Sequence, residues 1–341
     1  MADTSLSRRQ LLAAASATTA LGLFGTPAPA KAPMLNTPAP AFYRFKIGSI
    51  EATVVSDGPL AIGPAARTFR GPTADELGQM MSDHFLPADN VVLDQNVLVI
   101  NTGDKLALFE TGMSSVKRND AMGRLVTNLK QSGIDPNDID HVIPTHAHID
   151  HIGGIMSADG SRNFPNAQIH IAQADLEFWT DDKRLGTPAE GSALAAKKNL
   201  LPNRDRIVFY KDGQEVVPGV QAMHTPGHTV GHTCFVINSG AKSLFVVGDL
   251  THHVILVEKP RMEVAFDTDP KQGWRRASKS WTCSRASVCR RWSTICRGPA
   301  SVISPSAATA FTTSRRRCNW SYRKASVYRP VVDADVDGPG D

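Results

Sequence analysis

The sequence predicts a mixed α/β domain, made of sheets with helices packed outside them, over about residues 40–273. Three observations support this fold class. Short runs of alternating apolar and polar residues, typical of strands, are grouped in both the early and the late parts of the region. Segments with apolar residues three and four positions apart, typical of helices, lie between them. The chain has 341 residues, of which 41% are hydrophobic, and can therefore bury a full core.

Each element follows from a local pattern. Alternation and turn residues predict strands at 42–47, 52–56, 96–101, 106–110, 141–143, 168–172, 207–210, 221–223, 234–238 and 243–247. Turns are expected at Asp57-Gly58 and Gly103-Asp104. Helical spacing predicts helices at 120–131, 174–180 and 193–198, the first of them ending at Gly133.

Charge is distributed unevenly along the chain. The formal net charge is +4, but residues 274–341 carry 13 Lys and Arg against four Asp and no Glu. The region between the two ends is therefore acidic. An acidic body argues against nucleic acid as a partner, because affinity for a polyanion comes largely from Lys and Arg. A small-molecule substrate is expected instead, and the sequence does not indicate an oligomeric state.

The N-terminus predicts a removable export signal. Arg8 and Arg9 precede a weakly apolar run at 11–24, which ends before prolines and small residues near 28–32. This run is too short to span about 30 Å of hydrocarbon, so no permanent membrane anchor is expected. The arginine pair resembles a twin-arginine signal, which implies a bacterial protein exported by the twin-arginine machinery to the periplasm or beyond. The alternative is a disordered N-terminus with a chance arginine pair. We assign 1–32 to the signal, 33–273 to the main domain and 274–341 to a tail.

One stretch concentrates potential metal ligands. His146, His148, Asp150 and His151 lie within six residues, directly after a predicted strand. Residues two apart in an extended segment point the same way, so His146 and His148 can converge on one ion. If a helix starts at Asp150, then Asp150 and His151 turn toward a second ion. Solvated loop histidines are the simpler interpretation of the isolated histidines at positions 84, 141 and 170.

Two further pieces lie downstream. His224, His228 and His232 occupy a Pro/Gly-rich turn after a strand, and Asp249 ends another strand after Gly248. Imidazole and carboxylate ligands without a nearby cysteine suit Zn²⁺, with Mn, Fe or Co as alternatives, rather than a thiolate-rich structural zinc site.

Together these residues resemble the metallo-β-lactamase superfamily, whose motif is His-x-His-x-Asp-His, then a Gly-His turn, then a strand ending in Gly-Asp. The wider match at 42–44, 56–58, 164–167 and 248–250 is most similar to the branch of methyl parathion hydrolase and related lactonases. The resemblance implies a four-layer αβ/βα sandwich with two divalent metal ions at the sheet edges. A small departure is Glu110-Thr111-Gly112, where the family usually has Asp-Thr-Gly.

The resemblance also implies a role for each ligand. His146, His148 and His228 would bind the first metal, Asp150 and His151 the second, and Asp249 would bridge both. His232 would support a ligand or face the substrate, and His224 is interpreted as structural. Two ions can activate a shared water for attack on a carbonyl or phosphoryl centre. Asp150 is the candidate catalytic residue that steers the water or accepts its proton.

The chain departs from the family near its end. The superfamily supplies one more histidine to the second metal, but no histidine follows His253. His252 or His253 could substitute only through an unusual loop. From Trp274 onward, Arg, Ser, Trp and Cys become abundant. We hypothesise that the coding sequence changes reading frame near residue 273, because shifted codons for 292–303 can encode a His-containing segment resembling the missing one. The tail is expected to be poorly ordered; a basic binding arm, a zinc knuckle and a disulfide cluster are the alternatives.

The leading functional prediction is an exported metal-dependent hydrolase that directs a metal-activated water at an ester, lactone or phosphotriester. The alternative is a metal-binding but catalytically impaired protein, because a second site held only by Asp150, His151 and Asp249 should bind its ion weakly. A β-lactamase or thioesterase is a further alternative on the same ligands.

Overall fold

The computed structural model describes residues 41–113 and 121–272, together with the backbone of 292–295. The strands are β1 (Phe42–Ile47), β2 (Ile50–Gly63), β3 (Phe69–Arg70), β4 (Val91–Asn101), β5 (Leu106–Phe109), β6 (His141–Val142), β7 (Gln168–His170), β8 (Ile207–Val208), β9 (Glu215–Val217), β10 (Val220–His224), β11 (Thr233–Ser239), β12 (Lys242–Val246), β13 (Glu263–Val264) and β14 (Trp292–Ile295). The α-helices are α1 (Ala65–Thr68), α2 (Ala74–Asp83), α3 (Leu125–Gln131), α4 (Ile149–Ile152), α5 (Gln173–Thr180), α6 (Glu190–Leu200) and α7 (Val254–Glu258). Short 3₁₀ turns cover Pro136–Asp138, Asp182–Arg184, Leu201–Arg206 and Gly248–Leu250.

The fold is built on two large β-sheets. The larger has the order β1-β2-β4-β5-β6-β7-β8. It is antiparallel from β1 to β5 and parallel from β5 to β8. The smaller has the order β14-β12-β11-β10-β9. A parallel pair needs a crossover connection, and helices α3 to α6 lie in the connections between β5 and β8. The carboxyl ends of these parallel strands therefore meet at one edge.

Two apolar cores define the layers. One joins the inner faces of the two sheets and includes Ile100, Phe109, Phe235 and Ile237. The other packs the helices on the outer face of the larger sheet and includes Leu129 of α3 and Leu200 of α6. The alternation of β11 then directs Cys234 and Val236 to a smaller apolar cluster on the opposite face of the smaller sheet. The predicted arrangement of sheets with helices outside is confirmed.

Most predicted strands occur within a few residues of their expected positions, but the turn expected at Asp57-Gly58 is wrong. β2 continues through this pair to Gly63, and its pairing with β4 shifts register there. The carboxylate of Asp57 is fully buried and accepts hydrogen bonds from the backbone N–H groups of Met113 and Leu125, each at 2.9 Å. Asp-Gly therefore forms a β-bulge that anchors two later segments, because tertiary contacts outweigh the local turn preference.

The sequence-based prediction also missed helix α2. Its start carries a capping box, in which the Thr73 side chain accepts from the Glu76 backbone and Glu76 accepts from the Thr73 backbone. Leu77 and Met81 of this helix are buried against Phe69 and Val264 in a third apolar cluster.

Several predictions concern residues outside the description. The export signal at 1–32 and the start of the helix expected at 120–131 lie outside the described residues. So does the tail, except for the backbone of β14, which pairs in parallel with β12. The poorly ordered tail, the frame change and the domain boundaries therefore stay predictions. None of the helices in the described ranges has the length and apolar character needed to cross a bilayer.

Candidate metal centre

The predicted ligand residues lie in segments that follow strands of both sheets, with Asp150 and His151 in α4. His146 and His148 follow β6, and His148 is the N-cap residue of α4. His228 lies in the turn between β10 and β11, and Asp249 lies in the 3₁₀ turn after β12. A backbone hydrogen bond of 2.9 Å, from the Thr233 N–H to the Thr145 carbonyl, ties the two sheets together beside the ligands. Three stretches that are distant in sequence thus meet at one place.

Three imidazole nitrogens form a tight triangle. The distance from His146 Nε2 to His148 Nδ1 is 3.0 Å, from His148 Nδ1 to His228 Nε2 is 2.9 Å, and from His228 Nε2 to His146 Nε2 is 3.1 Å. Nitrogen ligands at about 2.0–2.1 Å from a tetrahedral Zn²⁺ would lie about 3.3 Å apart. The spacing of the triangle is close to that of three ligands on one ion.

Hydrogen bonds on the far side of the rings fix their tautomers. Thr145 donates its hydroxyl to Glu110 Oε1 at 2.7 Å, so its oxygen is left to accept from His146 Nδ1 at 3.0 Å. His228 Nδ1 lies 2.8 Å from a carboxylate oxygen of Asp267 and donates to it. Both Nε2 atoms therefore turn lone pairs toward each other. Because converging lone pairs repel, the donor set fits a bound cation.

The electrostatics favour the metal-binding form of these side chains. Burial lowers the pKa of His148 to about 3 and that of His228 to about 3, with neighbouring imidazoles contributing. Burial and the nearby imidazoles also hold the pKa of His146 well below its usual value. All three rings are consequently neutral at physiological pH, and neutral imidazole is the form that binds metals.

The second half of the centre is built around one oxygen of Asp249. Its Oδ2 lies 3.3 Å from His151 Nε2, 3.4 Å from His228 Nε2 and 3.9 Å from His146 Nε2. One atom of each of His146, His151 and Asp249 can be chosen so that all lie within 4.8 Å of one another. The carboxylate of Asp249 thus lies between the two groups of imidazoles, the position from which a bridging ligand would contact two ions.

Asp150 is the most accessible of these acidic side chains. Its Oδ2 lies 3.6 Å from His151 Nε2, and its side chain is 15% exposed, against 5% for Asp249. An acid that faces both the centre and solvent is placed to exchange a proton with a reacting water. All six predicted ligands, His146, His148, Asp150, His151, His228 and Asp249, are brought together.

Glu110 positions His151, a role that its residue type alone did not reveal. Its Oε2 accepts from His151 Nδ1 at 2.8 Å, which leaves the His151 Nε2 lone pair directed at the centre. Glu110 directly follows β5 and has a φ of +71°, a left-handed conformation that is uncommon for a residue with a side chain. The departure from the expected Asp-Thr-Gly motif therefore keeps a carboxylate within reach of His151.

Asp175 of α5 connects the two histidine loops from behind. Its Oδ2 accepts from the Ala147 N–H at 2.8 Å and from the Thr229 hydroxyl at 3.0 Å, and its Oδ1 accepts from the Gly231 N–H at 2.7 Å. Burial raises the pKa of Asp175 to about 6, although these donors oppose the rise. Because Ala147 lies between two ligands and Gly231 follows a third, this carboxylate fixes their relative position.

His232 supports the centre from within the protein. It is fully buried, its Nε2 accepts from the Asp249 N–H at 3.0 Å, and its Nδ1 lies 2.8 Å from the Thr225 hydroxyl. Of the two roles proposed for His232, the structure therefore favours support of a ligand over contact with substrate.

Two glycines permit the close packing that the centre requires. A Cβ on Gly154, just after α4, would lie 2.0 Å from the Thr111 carbonyl oxygen. A Cβ on Gly248, whose φ is +52°, would meet the side chain of Thr145 at 2.6 Å. A larger residue at either position would push a ligand loop away from its partners.

Four residues at the centre were missed or left unassigned by sequence reasoning: Glu110, Asp175, His252 and Asp267. Glu110 was visible only as a motif departure, and His252 only as one of two unlikely substitutes. Asp175 and Asp267 gave no signal, because single acidic residues in a helix and in a loop look like ordinary surface positions. Only the fold shows that their carboxylates are turned inward.

The remaining histidines lie apart from the ligands. His141 Nδ1 and His170 Nε2 lie 3.0 Å apart on the adjacent strands β6 and β7, and His84 pairs with Glu258 at 3.3 Å. The expectation of a solvated loop histidine is wrong for His170, which is buried in β7. His224 packs against the ring of Tyr210.

Comparison with known families identifies this arrangement. The family model described as the metallo-beta-lactamase superfamily matches residues 90–282, more than half of the chain, and includes all six predicted ligands. The chain belongs to this superfamily. The predictions of a metallo-β-lactamase fold and of a hydrolase of this family are thus confirmed at the family level.

Relatives within the superfamily include lactonases. The chain is 37% identical over 116 residues to an N-acyl homoserine lactonase of a Bacillus species, and 35% identical over 124 residues to one of Bacillus cereus. These matches cover 34% and 36% of this chain, and 40% and 43% of the relatives. The chain therefore matches only about two fifths of the length of these curated relatives.

Solved structures resemble a larger part of the chain. AidC, a dizinc quorum-quenching lactonase in complex with a homoserine product, has a TM-score of 0.70 and 26% identity, covering 76% of this chain and 92% of its own. The hydrolase AbOPH of the beta-lactamase superfamily has a TM-score of 0.69 at 23% identity, covering 77% and 92%, and this likeness concerns the fold. The dizinc neighbour and the clustered donors together support a divalent metal centre.

Proposed function

We propose that the protein is a zinc-dependent hydrolase that opens a lactone ring, with N-acyl homoserine lactones as the leading substrate class. The observation that carries the proposal is the convergence of three neutral imidazoles and the Asp249 carboxylate at one point. The similarity to lactonases supports the substrate class. A pair of divalent ions bound there would supply an activated water and polarise the substrate carbonyl.

The side chains at the centre would have two roles, metal binding and proton transfer. His146, His148 and His228 would hold one ion, and Asp150, His151 and Asp249 would hold the other, with Asp249 shared between them. The neutral state of the imidazoles keeps their lone pairs available. Asp150, the most exposed of the acids, would accept a proton from the attacking water at its carboxylate and return it to the leaving alkoxide oxygen.

The aromatic residues beside the centre favour an uncharged, partly apolar substrate. The rings of His148 and Trp179 lie 4.9 Å apart, and Trp179 packs against Phe178 at 5.0 Å. Trp179 is buried and Phe178 is half-buried, so these rings make the surroundings of the ligands apolar. A lactone with an acyl side chain carries no formal charge and suits such surroundings.

A substrate panel tests the proposal. The purified protein, loaded with zinc, is mixed with acyl homoserine lactones of different chain lengths, an aryl ester, a phosphotriester, a thioester and a β-lactam. We expect lactones to give the highest kcat/KM, measured by the proton released on ring opening. His148→Ala should abolish this turnover, whereas His84→Ala, which removes a histidine outside the centre, should preserve it. A protein that holds two ions but hydrolyses no lactone would contradict the proposal.

Export remains a separate proposal. It depends on Arg8, Arg9 and the apolar run that follows, all outside the described residues. In a bacterial host, the full chain should appear in the periplasmic fraction or the medium, and Arg8→Lys with Arg9→Lys should retain it in the cytoplasm. Equal distribution of both forms would show that the arginine pair is not an export signal.

A further inference from the structure

The second half of the centre has a neighbour that the sequence did not assign. His252 Nε2 lies 3.2 Å from Asp249 Oδ2, the oxygen that also lies 3.3 Å from His151 Nε2. His252 is 3% exposed, so its ring is inside the protein rather than at the surface. This imidazole therefore reaches the shared carboxylate at the same distance as an expected ligand does.

The local backbone explains how a residue only three positions beyond Asp249 can return to it. Gly248–Leu250 form a 3₁₀ turn in which Asp249 departs from helical geometry, with φ −94° and ψ 21°, and Thr251 is then extended, with φ −149° and ψ 122°. This turn is the unusual loop that a substitute ligand required. It places His252 beside the carboxylate oxygen of Asp249, the middle residue of the turn.

The next residue shows why only one of the two adjacent histidines can serve. His253 is also extended, with φ −152° and ψ 154°, and successive side chains of extended backbone point to opposite sides. His253 is the N-cap residue of α7, where its Nδ1 accepts from the Ile255 N–H, and its ring packs 5.5 Å from that of Phe69. His253 therefore faces the third apolar cluster, while His252 faces the centre.

The surroundings of His252 are rich in possible ligands. Its ring lies 4.7 Å from that of His228. One atom of each of His228, His252 and Asp267 can be chosen so that all lie within 4.8 Å of one another. Asp267 already accepts a hydrogen bond from His228 Nδ1. The acceptor or co-ligand closest to His252 is therefore the shared oxygen of Asp249.

We propose that His252 Nε2 is a ligand of the second cation and takes the place of the later histidine that this chain lacks. With Asp150, His151 and Asp249 it gives two imidazoles and two carboxylates, a donor set that suits Zn²⁺, Mn²⁺, Fe or Co. This inference rests on the two-ion centre of the proposed function. It opposes the catalytically impaired alternative, because the second ion would then have a fourth protein ligand.

Cobalt binding tests the inference without using activity. The full chain is stripped with a chelator and titrated with Co²⁺, and the ions bound per chain are counted by mass spectrometry and by visible absorption. We expect two ions in the original protein. In His252→Ala we expect the first ion to bind unchanged and the second at least tenfold more weakly. Free imidazole should restore the second ion in His252→Ala, an effect that a merely structural histidine would not show.

Further variants keep the result interpretable. His84→Ala is the matched control and should bind two ions. If His252→Ala does not fold, as judged by thermal unfolding, then His252→Asp replaces it, and we expect it to retain two ions with an altered Co²⁺ spectrum. Two ions with unchanged affinity in His252→Ala, an unchanged spectrum in His252→Asp, or a single ion in the original protein would each overturn the inference. A protein with two ions but no lactone turnover would instead contradict only the proposed function.

Discussion

The two halves of the centre are stabilised in different ways. The half formed by His146, His148 and His228 has three chemically identical donors, mutually 2.9–3.1 Å apart, on two loops joined by the buried Asp175. The half formed around His151 mixes imidazole with carboxylates and draws on three strand ends. In the first half one buried carboxylate joins both ligand loops, whereas in the second half separate hydrogen bonds support His151 and Asp249.

Because of this difference, we expect the metal affinities of the two halves to respond to different substitutions. A set of neutral imidazoles held by a buried carboxylate is pre-organised, and supporting contacts behind metal ligands contribute about 10–100-fold in affinity or activity. The second half is instead supported at separate ligands, by Glu110 behind His151 and by His232 behind the Asp249 backbone. Substitutions can separate the two halves, and the largest effect is expected from the one that touches both.

Asp249→Ala should have the largest effect, because Asp249 Oδ2 lies against imidazoles of both halves. We expect loss of both ions and a fall in kcat/KM of at least about 10³-fold, since each 1.36 kcal/mol of lost transition-state stabilisation costs a factor of ten. Metal counting and initial rates check this. Retention of one tightly bound ion would show that Asp249 serves only one half.

Asp175→Asn should weaken the first half without touching a ligand. One oxygen would become an amide NH₂ facing a backbone N–H, so we expect a loss of about 1–3 kcal/mol in the free energy of unfolding. Affinity for the first ion should fall about 10–100-fold. Glu177→Gln, on the exposed face of the same helix, is the control. Thermal unfolding and Co²⁺ titration measure both effects, and an unchanged first-ion affinity would contradict the role of Asp175.

Glu110→Gln should weaken the second half alone. The amide accepts less strongly than the carboxylate that holds His151 Nδ1, so we expect about tenfold weaker binding of the second ion. The first ion should bind as before. Equal weakening of both ions would mean that the hydrogen bond from Thr145 to Glu110 matters as much as the one from His151.

The pair of His141 and the buried His170 provides a pH reference outside the centre. Burial lowers the pKa of folded His170 to about 4, below the unfolded value of about 6.5. The unfolded chain therefore takes up a proton first as the pH falls, and stability decreases below about pH 6.5. Between pH 7 and 5.5, metal-free His170→Asn should lose about 1 kcal/mol less unfolding free energy than the original protein does. Identical losses in denaturant titrations would contradict this.

Much of the fold could be predicted from the sequence, and the predictions that failed did so for physical reasons. Alternation located β1, β5, β11 and β12 closely, because one face of each strand must be buried. Asp57-Gly58 was misread, since its turn preference is local whereas the two backbone donors that satisfy Asp57 come from residues 113 and 125. Helix α2 was missed because a single capping box is a weak signal without the tertiary contacts that bury Leu77 and Met81.

By itself, the sequence determined the kind of chemistry. Four potential ligands within six residues, and the downstream His228 and Asp249, specify a metal centre because donor identity is a property of the residues themselves. Only the tertiary structure decided how the centre is supported and completed. The carboxylates of Glu110, Asp175 and Asp267 turn inward, and His252 rather than His253 faces the ligands, because strand ends far apart in sequence meet at one edge and backbone direction there sets which side chains point inside.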